Sequence, residues 1–181
     1  MVLTMNDDAR DEDDLLRQIA GGDMRALETL YHALRVRVFA VTLAVTGDRG
    51  MAEDVMQDTF VRVYSSAPGY RPEGKARAWV LMIARHLALD AVRRRAREPT
   101  SVMADRSAAP GGEPDELRLD LVNALLQLGM VDRQIVVLHD MAGLTHAEIA
   151  AALQVPAGTV RWRYRVALAR LRPLVAEEEV S

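Results

Sequence analysis

Apolar residues recur every three or four positions along most of this chain, which is the spacing of an amphipathic helix. After Asp23, one such stripe comprises Leu27, Leu30, Tyr31, Leu34, Val38 and Val41. After Asp48, a second comprises Val55, Met56, Thr59, Phe60 and Val63, and a third, over residues 75–95, comprises Trp79, Val80, Ile83, Leu87 and Ala91. Asp23 and Asp48 stand where a helix needs a side-chain acceptor at its start. The first half is therefore predicted to be helical.

The second half repeats the helical pattern after an interruption. Residues 98–114 have no apolar period and contain Pro110, Gly111, Gly112 and Pro114, a composition typical of a flexible linker. Beyond it, Leu121, Val122, Leu125 and Leu128 share one helical register, and Asp132 is a candidate cap for a helix that ends before Gly143. The sequence predicts an all-α fold in which this flexible linker joins two small helical domains, residues 15–97 and 115–175.

Charge is strongly segregated along the chain, which the net value of −3 conceals. Acidic residues crowd residues 1–14, interpreted as a disordered tail, and a second acidic tail covers residues 176–181. Arginines form two clusters, Arg93, Arg94, Arg95 and Arg97, then Arg161, Arg163, Arg165, Arg170 and Arg172. Such basic patches indicate nucleic-acid binding, and solvated helix faces are the alternative. We hypothesise that the N-terminal tail shields these basic surfaces until a partner binds.

Composition argues against several classes of protein. The chain has no cysteine, which excludes disulfides and thiolate metal sites. Its four histidines are scattered without metal-binding spacing, and no glycine-rich phosphate loop occurs. No apolar run resembles a signal peptide or a membrane span. We therefore expect a soluble cytoplasmic protein with no catalytic residue, no metal and no cofactor.

The most specific motif is a helix-turn-helix over residues 145–172. Thr145 and Glu148 have the spacing of a capping box, and the turn Gln154-Val155-Pro156 separates two helices. The second helix has Val160, Tyr164, Ala167, Leu168 and Leu171 on one side and basic residues on the other, as a helix in the DNA major groove requires. The candidate DNA-reading residues are Thr159, Arg161, Trp162, Arg163 and Arg165.

These residues resemble the C-terminal domain of sigma-70 family factors of the extracytoplasmic-function group. The resemblance rests on DRQIVVL at 132–138, GLTHAEIA at 143–150 and VPAGTVR at 155–161. AEDVMQDTF at 52–60, AWV at 78–80 and the segment from Ile83 to Asp90 resemble the family's other conserved domain. Both domains follow the family's order, and the resemblance spans about residues 14–172.

The resemblance implies a role in transcription initiation. The C-terminal domain would read the upstream (−35) promoter element, and the N-terminal domain would bind core RNA polymerase through Asp54, Gln57, Asp58 and Phe60. The polymerase surfaces implied are the clamp of the largest subunit and the flap. The downstream (−10) element would be captured as a single strand by Tyr70, Arg71, Lys75, Arg77, Trp79, Arg85, His86, Arg93 and Arg94. An anti-sigma protein is a further implied partner.

Several assignments leave two interpretations open. Phe60 suits either an interface anchor or the core, and core packing is favoured for Trp79 over stacking on DNA. The chain also departs from the family pattern at five positions. Ala76 replaces an aromatic residue, His86 an asparagine, Trp162 a small residue, Val166 a basic residue and Gln154 a glycine. The two promoter elements are therefore expected to be atypical.

Three other functions compete with this interpretation. A stand-alone DNA-binding regulator explains residues 132–172 but not the polymerase-binding segment or the linker. An enzyme is disfavoured because Asp54 and Asp58 share a helix face without a third catalytic partner. A module that only sequesters another protein would not need an intact recognition helix. A stable complex with core polymerase separates the first of these from a sigma factor.

Overall fold

A computed structural model describes residues 4–97 and 123–176, with side chains for residues 11–97 and 123–172. The chain divides into two compact units between Pro99 and Thr100. The predicted linker at 98–114 and residues 177–181 of the acidic tail lie outside the described residues. Every regular element in the described ranges is helical, which confirms the all-α prediction. No described helix is long and apolar enough to span a bilayer.

Residues 4–97 of the N-terminal unit form four α-helices, α1 (Thr4–Ala20), α2 (Met24–Thr46), α3 (Arg49–Ser66) and α4 (Ala76–Arg97), with a 3₁₀ turn (Ala67–Gly69) after α3. Two predicted caps are confirmed. The Asp23 carboxylate accepts hydrogen bonds from the amides of Arg25 and Ala26 at 2.8 and 3.3 Å. The Asp48 carboxylate accepts one from Met51 at 2.8 Å, and this bond lowers the pKa of Asp48.

The first helix corrects the prediction of a disordered tail over residues 1–14 for the part that the structure describes. Residues 4–14 belong to α1, which continues to Ala20. Leu16 and Ile19 are fully buried on its inner face, and Glu12 and Asp13 are only 5% exposed. Glu12 and Asp13 are ordered because they find hydrogen-bond partners inside the fold, which offsets the cost of burying their charge.

Helix α4 packs its small residues against the core. Its buried positions are Ala76, Val80, Leu81, Ala84, Arg85 and Ala88, whereas Trp79, Ile83 and Leu87 are half-buried. The buried stripe therefore lies about one residue later than the large apolar side chains predicted. Alanine lets the helix backbones approach closely, so the tightest contact is made where the side chains are smallest.

The C-terminal unit contains α5 (Met130–Asp140), α6 (His146–Leu153) and α7 (Ala157–Ala176), preceded by a helical turn at 123–126. Its core includes Ile135, Leu138, Ile149, Val160 and Ala167. Helix α5 begins after Gly129, earlier than the predicted cap Asp132, which instead lies in its first turn.

The predicted helix-turn-helix geometry is present in α6 and α7. The Thr145 hydroxyl accepts from the Glu148 amide at 3.2 Å, while the Glu148 carboxylate accepts from the Thr145 amide at 2.9 Å, which confirms the capping box. Gln154 ends α6 in a left-handed conformation with φ of 57°. The turn therefore keeps the backbone geometry that glycine favours, although a glutamine occupies it.

Candidate nucleic-acid and polymerase interfaces

One face of α7 is solvent-exposed and carries three of the five predicted DNA-reading residues. Arg161, Trp162 and Arg165 are exposed, and Trp162 retains 61% of its accessible surface. Their i, i+1 and i+4 spacing places them on the side opposite the buried Val160 and Ala167. Thr159, in the first turn, is half-buried. An arginine pair flanking an exposed indole can contact both base edges and phosphates.

Arg163 corrects the prediction of a fifth DNA-reading residue. Its guanidinium donates to the Asp132 carboxylate at 2.7 Å, and the acid is 14% exposed. Arg163 therefore ties α7 to α5 and lies away from the exposed face. Residue type alone does not separate this arginine from its neighbours, but position 163 lies about 200° around the helix from positions 161 and 165.

Three aromatic side chains, one each from α5, α6 and α7, form a cluster where these helices meet. The rings of His139 and His146 stack with centroids 4.4 Å apart, and the Tyr164 ring lies edge-on to both. Tyr164 donates to Asp140 at 2.7 Å, and burial together with this carboxylate raises the pKa of Tyr164 to about 12. The cluster fixes the orientation of α7 on α5 and α6.

The loop between α3 and α4 combines exposed cations with a packed aromatic pair. Arg71 and Lys75 are exposed. The rings of Tyr70 and Trp79 lie 4.9 Å apart at an angle of 49°, and both are half-buried. Burial, followed by the hydrogen bond to Asp13, raises the pKa of Tyr70 to about 12, so the phenol stays protonated. The loop and the first turn of α4 thus carry four of the predicted single-strand-binding residues.

Arg77 is engaged within the N-terminal unit. Its Nε and one terminal nitrogen donate to the same oxygen of Glu12 at 3.0 and 2.7 Å. Sequence reasoning missed both Glu12 and Asp13 as parts of this site. Their signal was their position four and three residues before the apolar Leu16, which places them on its face of a helix.

On α4, Arg85 corrects the prediction of a DNA contact. It is 9% exposed, and burial together with the charge of Arg93 lowers its pKa. His86, Arg93 and Arg94 are exposed, and Arg93 Nη1 lies 3.3 Å from Asp90 Oδ1. Without Arg85, the candidate DNA-binding site on α4 still includes the basic, solvent-facing end of the helix.

On α3, the predicted polymerase-binding residues separate into two groups. Asp54, Gln57 and Asp58 are exposed, whereas Phe60 is 6% exposed and packs edge-on against Tyr31 with centroids 4.9 Å apart. The interpretation of Phe60 as an interface anchor is wrong, and the core alternative is correct. Val61, which sequence reasoning missed, is 70% exposed and shares a face with Asp54 and Asp58.

The two units match two family models. Residues 30–98 match sigma-70 region 2, and residues 124–173 match sigma-70 region 4. The chain therefore belongs to the sigma-70 family, whose members are transcription initiation factors rather than enzymes. This confirms the resemblance that the motifs indicated.

Curated relatives narrow the assignment to the extracytoplasmic-function (ECF) group of that family. The ECF RNA polymerase sigma factor SigK of Mycolicibacterium vanbaalenii is 32% identical over 172 residues, covering 88% of this chain and 87% of the relative. The RNA polymerase sigma factor CarQ of Myxococcus xanthus is 33% identical over 175 residues, covering 92% and 98%.

Solved structures share the fold at lower identity. CnrH, in complex with the cytosolic domain of CnrY, aligns with a TM-score of 0.63 at 24% identity, covering 93% of this chain and 99% of CnrH. The sigma factor RpoE of Bartonella quintana, in complex with the anti-sigma factor NepR, aligns with a TM-score of 0.61 at 19% identity, covering 83% and 97%.

Proposed function

We propose that this chain binds core RNA polymerase and directs it to a class of promoters with two recognition elements. The exposed face of α7, with Arg161, Trp162 and Arg165, reads the upstream (−35) element as duplex DNA. The face of α3 that carries Asp54, Gln57, Asp58 and Val61 contacts the polymerase clamp, and the C-terminal unit contacts the flap. The observation that carries the proposal is the outward arginine and tryptophan face of α7 directly after a capped helix-turn-helix.

The downstream (−10) element is captured by the loop before α4 and by the exposed end of that helix. Arg71 and Lys75 supply positive charge beside the aromatic pair Tyr70 and Trp79, a combination that holds unstacked bases and their phosphates. Arg93 and Arg94 neutralise phosphates without reading sequence. Residues 98–114 would form the linker between the two reading units.

The polymerase partnership is tested by mixing purified protein with core RNA polymerase and genomic fragments, then sequencing the run-off transcripts. We expect discrete start sites preceded by a shared two-part motif. Absence of a complex with core, with retained binding to duplex DNA, would instead identify a stand-alone helix-turn-helix regulator. That result would keep the DNA-binding role of α7 and rule out the polymerase-binding and strand-capture roles of the N-terminal unit.

We further propose that an anti-sigma protein holds the chain inactive in the bacterial cytoplasm. The support is that both aligned proteins were solved in complex with a protein partner, which for RpoE is the anti-sigma factor NepR. A two-hybrid screen against proteins of the source organism tests this idea. We expect a partner whose addition displaces core polymerase, and a partner that leaves core binding intact would not qualify.

A further inference from the structure

The inner face of α1 makes a dense set of hydrogen bonds with the loop that precedes α4. One Asp13 oxygen accepts from the Tyr70 hydroxyl at 2.8 Å and from the Ala76 amide at 3.1 Å. The other accepts from the Gly74 amide at 2.7 Å. These groups are separated by 57 to 63 residues along the chain. A single carboxylate thus joins the two ends of the loop.

Asp13 supplies the acceptor that the start of α4 lacks locally. The first residue of α4 is Ala76, and its amide is one of the donors that an α-helix leaves without an internal partner. The neighbouring Lys75 has no side-chain acceptor, so a carboxylate from α1 takes the place of an N-cap residue. A negative charge at this end is also favoured by the helix dipole.

Glu12 fixes the cation at the same helix start. It lies 2.7 Å from Arg77, and the side chain of Glu12 is 7% exposed while that of Arg77 is 18% exposed. Its second oxygen, Oε2, is buried without a hydrogen-bond partner among the described residues. The pair is therefore largely buried, and its geometry depends on both side chains remaining in place.

The bonds to Asp13 determine which loop side chains face outward. The Tyr70 ring is held by its hydroxyl on one side and by Trp79 on the other. Between Tyr70 and Ala76, the side chains of Arg71, Pro72, Glu73 and Lys75 are all exposed. Without the bonds to Asp13, a loop of this composition would have to become ordered when it binds the DNA strand. The entropy lost in that ordering would offset much of the binding free energy.

We propose that Asp13 is a positioning residue that preorganises the loop for the single-stranded promoter element, with Glu12 fixing Arg77 beside it. The inference rests on the proposed function, because it assumes that this loop binds the non-template strand. Asp13 itself touches no DNA. It acts by holding the backbone from Tyr70 to Ala76 in one conformation before the strand arrives.

The test compares Asp13→Asn with Asp14→Asn in the full chain assembled with core polymerase. Asp14 is the matched control because it is the adjacent acid, its side chain is 55% exposed and its partner is Arg17 on the same helix. The probe is a single-stranded oligonucleotide with the non-template sequence found upstream of the run-off start sites, beside a scrambled version. The readout is the ratio of the two affinities, with core affinity measured in parallel.

We expect Asp13→Asn to lower this ratio about tenfold, the scale of a lost hydrogen bond to a charged group, while core affinity stays within about twofold. Asp14→Asn should match the wild type in both. The inference is overturned if Asp13→Asn keeps the wild-type ratio, or if Asp14→Asn loses as much, since the latter would indicate a general charge effect.

Tyr70→Phe gives an independent measurement if Asp13→Asn fails to fold. It removes one of the three bonds to Asp13 from the loop side and keeps the ring, so we expect a loss of about threefold in the ratio. An unchanged ratio would overturn the inference. If the wild type itself has no preference for the promoter strand, the proposed function of the loop fails along with this inference. If the wild type is selective and both variants keep that selectivity, only the proposed role of Asp13 is wrong.

Discussion

Gln154 holds a backbone conformation that its side chain disfavours. Its φ of 57° lies in the left-handed region, where a Cβ atom crowds the backbone, and its amide still closes α6 by bonding to Ala150. We expect Gln154→Gly to stabilise the C-terminal unit by about 1 kcal/mol.

Hydrogen-exchange protection of the α6 and α7 amides provides the measurement for Gln154. Gln154→Ala is the control, because alanine loses the same side chain but keeps the Cβ atom, and it should give no gain. Equal gains from both variants would locate the effect in the side chain rather than in the backbone.

His146 makes the C-terminal unit sensitive to acid. Burial, then the charges of His139 and Arg161, lower its pKa below the usual 6.5 against the opposing effect of Asp140. Its Nε2 is buried without a partner among the described residues, and His146 is the first residue of α6, where positive charge is unfavourable. Because the pKa of His146 is lower in the folded chain, the unfolded chain takes up this proton at a higher pH. The contribution of His146 to the free energy of unfolding is therefore fully present above pH 6.5 and is lost as the pH falls below that value.

Urea unfolding of the C-terminal unit at about pH 8 and about pH 5 measures this dependence. His146→Gln should lose less stability between the two values than the wild type. His86→Gln, on an exposed face of the other unit, should retain the wild-type loss for the C-terminal unit. An unchanged loss in His146→Gln would exclude this histidine as the source.

At the scale of the helix, two exposed arginines of α7 differ in which side of the helix they occupy. Arg161 and Arg170 are both exposed, but nine residues place them half a turn apart around the axis. Arg161→Ala should weaken use of a cognate promoter by about 1–3 kcal/mol if the side chain reads a base. Arg170→Ala should have little effect, and an Arg161→Ala loss that is equal on every DNA sequence would indicate a phosphate contact instead.

Helix α3 likewise separates adjacent positions with opposite roles. Val61→Ser should weaken core polymerase binding by at least about 1 kcal/mol and leave unfolding unchanged, because Val61 is 70% exposed. Phe60→Leu should lower unfolding stability by about 1 kcal/mol and leave core affinity unchanged, because Phe60 packs on Tyr31. Fluorescence anisotropy with labelled core and urea unfolding provide the two measurements. Loss of core affinity in Phe60→Leu, with unchanged core affinity in Val61→Ser, would instead indicate that Phe60 contacts the polymerase.

Sequence periodicity predicted which segments are helices better than which faces they bury. The caps at Asp23, Asp48 and Thr145 follow from local chemistry, so residue type and spacing were sufficient to find them. The rotation of α4 depends instead on how closely it approaches its neighbours, which is decided by Ala84 and Ala88 rather than by its large side chains. Arg85 was misassigned for this reason, because one residue of rotation moves a side chain by about 100°.

At the scale of the whole molecule, the acidic N-terminus has a different place from the one that charge segregation suggested. If the acidic residues only shielded the basic surfaces, Glu12 and Asp13 would not need to be buried, yet both are. No local pattern could have revealed their partners, since the hydrogen bonds span 57 to 65 residues. The N-terminal site was therefore only partly predictable, whereas the helix-turn-helix, which is contiguous in sequence, was found almost completely.

Two nested deletions distinguish support of the loop from electrostatic shielding. Removal of residues 1–10 leaves Glu12 and Asp13 in place and should preserve selective binding of the promoter strand. Removal of residues 1–14 should lower selectivity about tenfold, as expected for Asp13→Asn. Tighter DNA binding by the free protein after the longer deletion, most visible at low salt, would favour shielding instead. Both deletions are compared in the same oligonucleotide assay.

The bonds that Asp13 makes to Gly74 and Ala76 end on backbone amides, which every residue except proline possesses. These two bonds are indifferent to the identity of the side chains they support. Arg71, Glu73 and Lys75 all point to solvent, so they can change without disturbing the hold of α1 on the loop. Promoter preference can thus diverge by substitution at these outward positions, while the inherited scaffold that presents them stays the same.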